Sequence, residues 1–216
     1  IKANLVVVTS CTVSTEEELK DAADAAVGTV TLGDDISITD EISIQNNTTV
    51  DAGEYDITVE EGGKLSNAGK ITGTGDINNK GTVENTGKLN PTVRNEGIVK
   101  NSGNGDVADL IDLGGTVDNT ATVNARHIAV WYVANNGTDD IHEELISEGE
   151  GYDVWVNTFK NGTRYFVEWN TREDGTGDKY DRKQIVADEN VEYIVLYAIW
   201  SEEDAGAKIG DTYYKD

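Results

Sequence analysis

"GKLSNAGKITGTGDINNKGTVENTGKLN", residues 63–90, repeats every six residues and thereby decides the fold. Glycine opens each hexad, and an aliphatic residue follows two positions later. The aliphatic residues are Leu65, Ile71, Ile77, Val83 and Leu89. A constant short step of this kind is typical of solenoids. Each hexad is expected to supply one short strand and one corner, with its aliphatic side chain pointing inward.

The other hexad positions indicate how the coils would be held together. Glycine permits the backbone angles that a tight corner requires. Asparagines two residues before glycine are expected to bond their own turn or the coil above; they are Asn67, Asn79, Asn85 and Asn101. Aliphatic side chains then stack from coil to coil, which explains the lack of aromatic residues. The four residues VRNE (93–96) read as an insertion before the hexads resume at GIVKNS.

The segment before the hexads predicts a helix over 15–27, followed by short strands. Ser14 is the expected N-cap, with Glu17 as its capping-box partner and Gly28 as the stop. Apolar residues at helical spacing follow, namely Leu19, Ala22, Ala23 and Ala26. Apolar residues then alternate from Val30 to Ile44, which is typical of strands. The helix is expected to cover the first coil of the solenoid. A disordered Gly/Asn linker is the alternative, but disorder does not demand an aliphatic residue at every sixth position.

These features resemble a known class of surface protein. The run TEEELKDAADAA, then TVTLGDDISITDEISI, then N-x-G-x-[ILV] is similar to the right-handed β-helices of bacterial and archaeal adhesin-like proteins, over about 14–105. The resemblance implies a single-stranded, right-handed β-helix with an N-terminal capping helix. A left-handed hexapeptide helix is the alternative, although its usual order places the aliphatic residue before the glycine.

Aromatic residues mark a domain boundary near 126. Residues 1–126 contain Tyr55 as their one aromatic residue, whereas the four tryptophans, both phenylalanines and eight tyrosines follow. A core of Ile, Val, Leu and Ala is not the same core as one of Trp and Tyr. The predicted domains are therefore 1–126 and 127–200, with 201–216 as linker and leading strand. Within the second domain, strands are predicted at 127–134, 152–157, 164–169 and 193–200, and a short helix at 139–149.

The second domain resembles the Listeria–Bacteroides repeat known from internalin B. The matching residues are Phe159, Phe166, Trp169-Asn170-Thr171, Asp174-Gly175-Thr176-Gly177, Tyr180, Leu196-Tyr197-Ala198 and Trp200, with ANNG at 134–137. The resemblance implies a small β-grasp-like module used as a spacer or binding unit, with Trp169, Tyr197 and Trp200 in its core. Glu168 and Arg164 depart from the family pattern. The tail AKIGDTYYKD is similar to the opening of a further repeat.

Composition narrows the classes of partner. The formal charge is −24, from 41 acidic and 17 basic residues, and it repels nucleic acid and anionic membranes. One cysteine, Cys11, allows no internal disulfide. The apolar run Leu5–Val8 is too short for a signal segment and reads as a strand. No run in the sequence is long enough to span a membrane.

No catalytic, metal or cofactor site is predicted. His142 lies among carboxylates but lacks a second histidine or cysteine at ligand spacing. Asp174, Asp178 and Asp181 offer oxygen ligands for Ca²⁺ but lack EF-hand spacing, and the repeat resemblance makes them a turn. His127 and Cys11 have no nucleophile-and-base arrangement around them.

Three aromatic residues are the candidate ligand-binding residues. Alternation from Tyr132 places Trp131 on the opposite side of its strand, and Trp155 and Tyr165 are likewise expected off the core faces. Exposed aromatic rings stack on sugars or anchor protein partners.

The sequence therefore predicts a non-catalytic segment of a modular, extracellular cell-surface adhesin. The solenoid would be a rigid stalk or display scaffold, and the second domain a spacer or a module that binds a glycan or surface protein of a host or neighbouring cell. The segment is expected to be monomeric within a longer multi-repeat chain. The alternative is a lyase-like β-helix enzyme that acts on polysaccharides.

Overall fold

The computed structural model is a mainly β protein, a β-solenoid of about seven turns with one short helix. It describes residues 9–147, 151–180, 184–186, 193–202, 207–209 and 212–214. The predicted mainly-β solenoid is confirmed, while its handedness stays a prediction. Contacts divide the chain into two compact units, Ile1–His127 and Ile128–Asp216. The strand predicted at Leu5–Val8 lies outside the described residues.

The first unit holds the helix α1 (Glu16–Asp24) and fifteen strands among its described residues, with a sixteenth crossing the unit boundary. The strands are β1 (Ser10–Val13), β2 (Thr29–Leu32), β3 (Ile36–Ile38), β4 (Glu41–Ile44), β5 (Thr49–Asp51), β6 (Ile57–Val59), β7 (Lys64–Asn67), β8 (Lys70–Thr72), β9 (Ile77–Asn79), β10 (Thr82–Asn85), β11 (Lys88–Asn95), β12 (Ile98–Asn101), β13 (Asp106–Asp112), β14 (Thr116–Asn119), β15 (Thr122–Val123) and β16 (Arg126–Val133).

The solenoid strands pair in parallel on three faces. The first face contains β1, β2, β5 and β8, then the first residues of β11 and β13, and then β15. The second face contains β3, β6 and β9, then the last residues of β11 and β13. The third face contains β4, β7, β10, β12 and β14. Within the hexad region a coil therefore takes three hexads, one for each face. Leu65 accordingly pairs with Val83, eighteen residues on, and not with Ile71.

The hexad aliphatic residues form the core, as predicted. Leu65, Ile71, Ile77, Val83 and Leu89 are each no more than 1% exposed. Because every third hexad returns to the same face, the stacked column on the third face is Ile42, Leu65, Val83, Val99 and Val117. Small side chains fill the narrow interior at strand spacing, so no aromatic residue is needed there.

Buried asparagines form a second, polar column beside the aliphatic one. Asn67 Nδ2 donates to Asn85 Oδ1 at 2.8 Å, Asn85 to Asn101 at 2.9 Å, and Asn101 to Asn119 at 2.9 Å. Asn85 also donates to the carbonyl oxygen of Gly87 in its own turn. Both predicted types of asparagine bond are therefore confirmed, and they pair the buried side-chain amide groups of Asn67, Asn85 and Asn101. The Asn67 Oδ1 atom, at the start of the column, has no hydrogen-bond partner among the described residues.

A shorter polar column lies on the second face. Asn79 Nδ2 donates to Asn95 Oδ1 at 2.7 Å, and Asp112 occupies the next register position above Asn95. Burial raises the pKa of Asp112, while the Arg126 guanidinium, 3.2 Å from its carboxylate, acts in the opposite direction. Both columns begin above an aliphatic residue: Ile44 pairs with Asn67, and Val59 pairs with Asn79.

The prediction that hexad glycines supply special corner angles is wrong. Gly63, Gly69, Gly75, Gly81 and Gly87 are absent from the residues with positive φ. Their Cα atoms instead lie against the backbone of the preceding coil. A Cβ at Gly87, for example, would overlap the carbonyl oxygen of Gly69. Glycine is required because adjacent coils approach too closely for a side chain.

The VRNE segment is not an insertion. Val93 is fully buried and pairs with Ile77, so it carries the core position of the second face. The register shifts between Leu89 and Thr92, and β11 passes from the first face to the second as one eight-residue strand. The step between successive core residues thus shortens from six to four at this corner.

The helix is shorter than predicted, and its cap lies one residue later. Thr15, not Ser14, is the N-cap and accepts from the Glu18 amide, while Glu18 accepts from the Ser14 amide at 2.8 Å. Past its C-cap, Ala26 adopts φ +50°, and the Val27 amide bonds back to Ala22. This is a Schellman ending with alanine where glycine is usual. Ala26 is exposed, so Val27 and not Ala26 completes the apolar stripe.

Glu16 attaches the helix to the corner between β3 and β4. Its carboxylate accepts from the Thr39 amide at 2.7 Å, the Thr39 hydroxyl at 2.7 Å and the Asp40 amide at 2.9 Å. Leu19, Ala22 and Ala23 are buried in the solenoid core. The helix therefore covers core residues of the first coils, as predicted.

After β16, the described residues of the second unit form eight more strands. They are β17 (Ile141–Ser147), β18 (Gly151–Asp153), β19 (Tyr165–Asn170), β20 (Lys179–Tyr180), β21 (Gln184–Val186), β22 (Tyr193–Ser201), β23 (Ala207–Ile209) and β24 (Thr212–Tyr214). β22 pairs in parallel with β16 and antiparallel with β19; β17 pairs with β16, and β20 with β19. The β-grasp-like topology stays a prediction.

Three predicted strands of this unit are observed near their expected limits, at β16, β19 and β22. The strand predicted at 152–157 is shorter, and the helix predicted at 139–149 is wrong because Ile141–Ser147 is a strand. The side chains of this segment alternate between the two sides of a strand: Ile146 is buried, whereas Ile141 and Leu145 on the other side are exposed.

Candidate interaction surface

The inner face of the second unit's sheet carries its aromatic core. Tyr132 and Trp169 are buried, with ring centroids 4.9 Å apart in an edge-on arrangement. Trp200 and Phe166 pack against this cluster. Trp169 Nε1 donates to the Trp155 carbonyl oxygen at 2.9 Å. The aromatic residues therefore form a core with satisfied polar atoms, as the assignment of Trp169 and Trp200 to the core requires.

Trp155 belongs to this inner side, so its expected outward orientation is wrong. Its ring is half-buried, packs against the core and stacks on the His142 imidazole at 4.1 Å and 20°. The Trp155 amide donates to the Tyr132 hydroxyl at 3.0 Å. Burial of that hydroxyl raises the pKa of Tyr132 to about 12, although the Trp155 amide acts to lower it. The Trp155 ring is thus packed against residues of its own unit.

The outer face of the same sheet carries apolar side chains that are half-buried on β16 and along most of β22. Alternation along β16 and β22 places Trp131, Val133, Val195 and Tyr197 opposite the core residues. Tyr197 is therefore not a core residue, contrary to the expectation from the repeat resemblance. Trp131, Tyr193, Ile141 and Leu145 form one end of this face, which we call the Trp131 patch.

The Trp131 patch has a defined geometry. The Trp131 and Tyr193 rings lie 5.2 Å apart, tilted by 38°. Trp131 Nε1 donates to Glu143 Oε2 at 2.8 Å, which positions a carboxylate beside the two rings. Ile141 and Leu145 flank Glu143 on β17 and are 58% and 39% exposed, while Tyr193 is 43% exposed. The patch is thus an open aromatic and aliphatic surface with a carboxylate at its centre.

Tyr165 is exposed as predicted, but it lies away from Trp131. It pairs with Ser201 at the end of β22, whereas Trp131 pairs with Val195, six residues earlier and thus about 20 Å along the strand. Between them the turn at Gly175 packs on the Ile199 side chain. The three predicted aromatic residues therefore occupy three separate places, and no common site contains them.

The two departures from the repeat pattern make ion pairs near Tyr165. Glu168 is buried, and its carboxylate lies 3.1 Å from Lys179 Nζ and accepts a hydrogen bond from Asn170 Nδ2. The Arg164 guanidinium lies 3.3 Å from Glu202. A shallow polar cleft of about 310 Å³ adjoins Arg164 and is lined by Asn135, Asn161, Arg164, Glu173, Asp174, Ile199 and Trp200.

The acidic turn considered for calcium is held by its own hydrogen bonds. Asp174 accepts from the Thr176 hydroxyl at 2.7 Å and the Thr176 amide at 2.9 Å, and these bonds lower the pKa of Asp174. Asp181 lies outside the described residues. Within the part of the chain that the structure describes, no three His, Cys, Asp or Glu side chains form a group able to hold a metal ion.

The solenoid carries a row of aspartates at one corner. Asp35 and Asp56 each accept the backbone amide of the aspartate one coil above, at 2.9 and 2.7 Å. Burial raises the pKa of Asp76, as does the neighbouring charge of Asp56, while Arg94 acts to lower it. Asp109 lies further along this side and contacts His127 Nδ1 at 2.8 Å. Two of the carboxylates are thus occupied in joining one coil to the next.

Sequence reasoning missed most of the Trp131 patch. Tyr193 follows from the same alternation that placed Trp131, counted back from Leu196. The prediction of a helix over 139–149 leaves out Ile141 and Leu145, because on a strand these two residues share one side with a period of two. The Trp131–Glu143 contact has no sequence signal, since it depends on the pairing of β16 with β17.

The sequence matches no family model, and no curated protein or solved structure gives a significant match. Among the described residues, no helix is long and apolar enough to cross a membrane.

Proposed function

We propose that the chain is a non-catalytic segment of a modular, extracellular cell-surface adhesin. The solenoid serves as a stalk or display scaffold, and the second unit binds a surface protein or glycan of another cell. The Trp131 patch carries this proposal: exposed aromatic and aliphatic side chains gathered on one sheet face are the composition of interface centres. The resemblances to adhesin-like β-helices and Listeria–Bacteroides repeats support the same role.

The solenoid supports the scaffold part of the proposal. Its interior is filled with aliphatic columns and two asparagine columns, and such repeated packing gives a stiff unit with contacts to neighbouring coils only. No cofactor is needed for a stalk. Cell-surface attachment and a monomeric state within a longer chain belong to the same proposal.

The second candidate is an enzyme that acts on polysaccharides, and the aspartate row is the observation that favours it. A glycosidase needs an acidic group with a raised pKa beside a second carboxylate, and Asp76 has neighbouring Asp56 and Arg94. We favour the non-catalytic role because Asp35 and Asp56 hold backbone amides of the adjacent coil, an arrangement that serves structure.

The test uses beads coated with the full chain. We expect adhesion to one or more members of a panel of extracellular-matrix proteins and immobilised glycans, while incubation with neutral and acidic polysaccharides releases no reducing or unsaturated sugars. Absence of adhesion across the panel would reduce the role to scaffolding. Sugar release that is lost in Asp76→Asn would establish the enzyme instead.

A further inference from the structure

We propose that the shallow polar cleft of the second unit binds a neutral glycan, through hydrogen bonds between its amide, carboxylate and guanidinium groups and adjacent sugar hydroxyls. We call it the Asn161 cleft; its walls are the segments 134–138, 161–164 and 171–176 and the end of β22. The inference rests on the proposed adhesive function, for which it names a ligand class, and it uses a site separate from the Trp131 patch.

Two asparagine side chains hold the walls of the cleft together. Asn135 Nδ2 donates to the carbonyl oxygens of Glu173 and Ala198, at 2.9 and 3.0 Å. Asn136 Nδ2 donates to the carbonyl oxygen of Lys160 at 2.7 Å. These bonds join segments that are distant in the sequence, so the cleft is formed before a ligand enters it. A site formed in advance loses less free energy to ordering when it binds.

Other polar groups of the cleft have no hydrogen-bond partner among the described residues. This is true of both side-chain polar atoms of Asn161, of Asn135 Oδ1 and of the Glu173 carboxylate. Asp174 uses only Oδ1 in its own turn, and Arg164 uses only Nη2 in its ion pair. The cleft therefore offers both donors and acceptors to a ligand.

This mixture of donors and acceptors suits a sugar more than an ion. A hydroxyl group both donates and accepts, and a carboxamide, a carboxylate and a guanidinium each place two polar atoms side by side for adjacent hydroxyls. Because the cleft contains Arg164 as well as Glu173 and Asp174, an ion of either sign meets a like charge. Residues 128–216 contain 20 acidic and 8 basic residues, for a formal charge of −12, which disfavours anionic glycans in particular.

The dimensions of the cleft suit the end of a glycan. Its volume of about 310 Å³ lies at the lower end of the range of small-molecule sites, about 300–1,000 Å³, and fits a terminal mono- or disaccharide. Ile199 and Trp200, both half-buried, add an apolar part on which the C–H face of a sugar ring can pack. A shallow and mostly polar site binds weakly, and an adhesive chain offsets this by presenting many copies at once.

The test measures saccharide binding to the full chain by saturation-transfer difference NMR. The neutral probes are maltose, lactose, cellobiose and mannobiose, the anionic probe is digalacturonate, and the basic probe is the peptide glycyl-lysyl-glycine. We expect saturation transfer to at least one neutral disaccharide and a weaker response from both charged probes.

Two variants test whether the cleft is the binding site. Asn161→Ala removes a free carboxamide, and Glu173→Ala removes an exposed carboxylate. Neither substitution breaks a hydrogen bond between described side chains, so both variants should keep the fold. Each is expected to reduce the affinity for the bound disaccharide at least about fivefold, the effect of one lost hydrogen bond.

Matched controls keep the outcome decisive. Asn104→Ala and Asp153→Ala make the same types of change at exposed positions outside the cleft, and they should leave binding unchanged. Equal losses in the control and cleft variants would overturn the proposal, as would the absence of saturation transfer to every neutral disaccharide. Stronger binding of digalacturonate or of the peptide, lost in the two cleft variants, would assign the cleft to an ion and also overturn it.

The bead assay separates this proposal from the adhesive function. Disaccharide binding that Asn161→Ala and Glu173→Ala weaken, without adhesion of any coated bead, would establish the cleft and refute the adhesin. Adhesion of the beads without disaccharide binding by the full chain would leave the adhesin intact and refute the cleft.

Discussion

Asn67 donates its side-chain amide to Oδ1 of Asn85 at 2.8 Å, although both side chains are buried in the solenoid interior. The two residues are eighteen apart, the length of three hexads, and they meet because their strands pair in register. A coil shifted by one residue would place Asn85 outside the column and leave buried polar atoms unpaired, at a cost of about 1–3 kcal/mol each. The asparagine column therefore specifies the register between neighbouring coils, whose length is 18 residues from Asn67 to Asn85 and 16 from Asn85 to Asn101, whereas the aliphatic column supplies most of the burial.

Asn85→Asp tests this column. An ionised aspartate accepts but does not donate, so the bonds from residue 85 to Asn101 Oδ1 and to Gly87 are lost and an unpaired charge is buried. We expect a loss of about 3–5 kcal/mol in the free energy of unfolding. Asn90→Asp is the control because Asn90 is exposed. The free energy of unfolding of both variants is measured by far-UV circular dichroism in urea. Tryptophan fluorescence would not report on the solenoid, because the four tryptophans all lie in the second unit.

Gly87→Ala tests the close approach of adjacent coils. A Cβ at this position overlaps the Gly69 carbonyl oxygen, so the backbone must move, and we expect a loss of about 3 kcal/mol. Gly103→Ala is the contrast: φ there is +63°, but the space around it is open, so only about 1 kcal/mol of backbone strain is expected. Equal losses in the two variants would show that hexad glycine is not required for space.

Ala26→Gly should stabilise the protein. Ala26 has φ +50°, a left-handed conformation that costs alanine about 1–2 kcal/mol, while glycine adopts it freely. Glycine also raises the conformational entropy of the unfolded chain, which offsets part of this benefit. We therefore expect the free energy of unfolding to rise by about 0.5–1 kcal/mol. Ala25→Gly, at φ −73°, should instead lose about that amount. A loss in both variants would contradict the assigned helix ending.

Thr48→Val should also stabilise the solenoid. The Thr48 hydroxyl is buried, and no hydrogen-bond partner for it occurs among the described residues. Valine has the same shape without the hydroxyl, so we expect a gain of about 1 kcal/mol in thermal or urea unfolding. Thr48→Ser keeps the hydroxyl, removes the methyl group and should lose stability. A loss in Thr48→Val would reveal a partner for the hydroxyl in solution.

The sequence predicted the features of the solenoid that repeat and missed those that depend on pairing between coils. The six-residue period identified every core residue from Leu65 to Leu89, because burial recurs with the strand step. It did not show that Val93 takes a core position after a step of four, since that depends on the register shift within β11. It also gave the wrong reason for Gly87, because the approach of Gly69 is a contact between coils.

The candidate surface was less predictable than the fold. Alternation placed Trp131 outward, and family positions placed Trp169 in the core, both as observed. The predicted orientation of Trp155 is wrong because Trp155 follows β18 in an irregular segment, where alternation does not apply. The contact of Trp131 with Glu143 joins β16 and β17, and no local sequence pattern predicts that these two strands pair.

Glu16→Gln tests how the helix is attached to the first coils, through its pH dependence. Burial acts to raise the pKa of Glu16, but the hydrogen bonds from Asp40 and Thr39 outweigh it and leave the pKa below its usual value. A carboxyl whose pKa is lowered on folding stabilises the protein above its unfolded pKa, and that contribution is lost as pH falls through the folded pKa. We expect wild type to exceed Glu16→Gln by about 1–2 kcal/mol at pH 7, a difference that shrinks below about pH 4. Glu17→Gln is the control because Glu17 lies in the same helical turn but is exposed. This variant should show neither the loss of stability nor its pH dependence. The same stability profile in both variants would assign the effect to the helix dipole and not to the contact of Glu16 with Thr39 and Asp40.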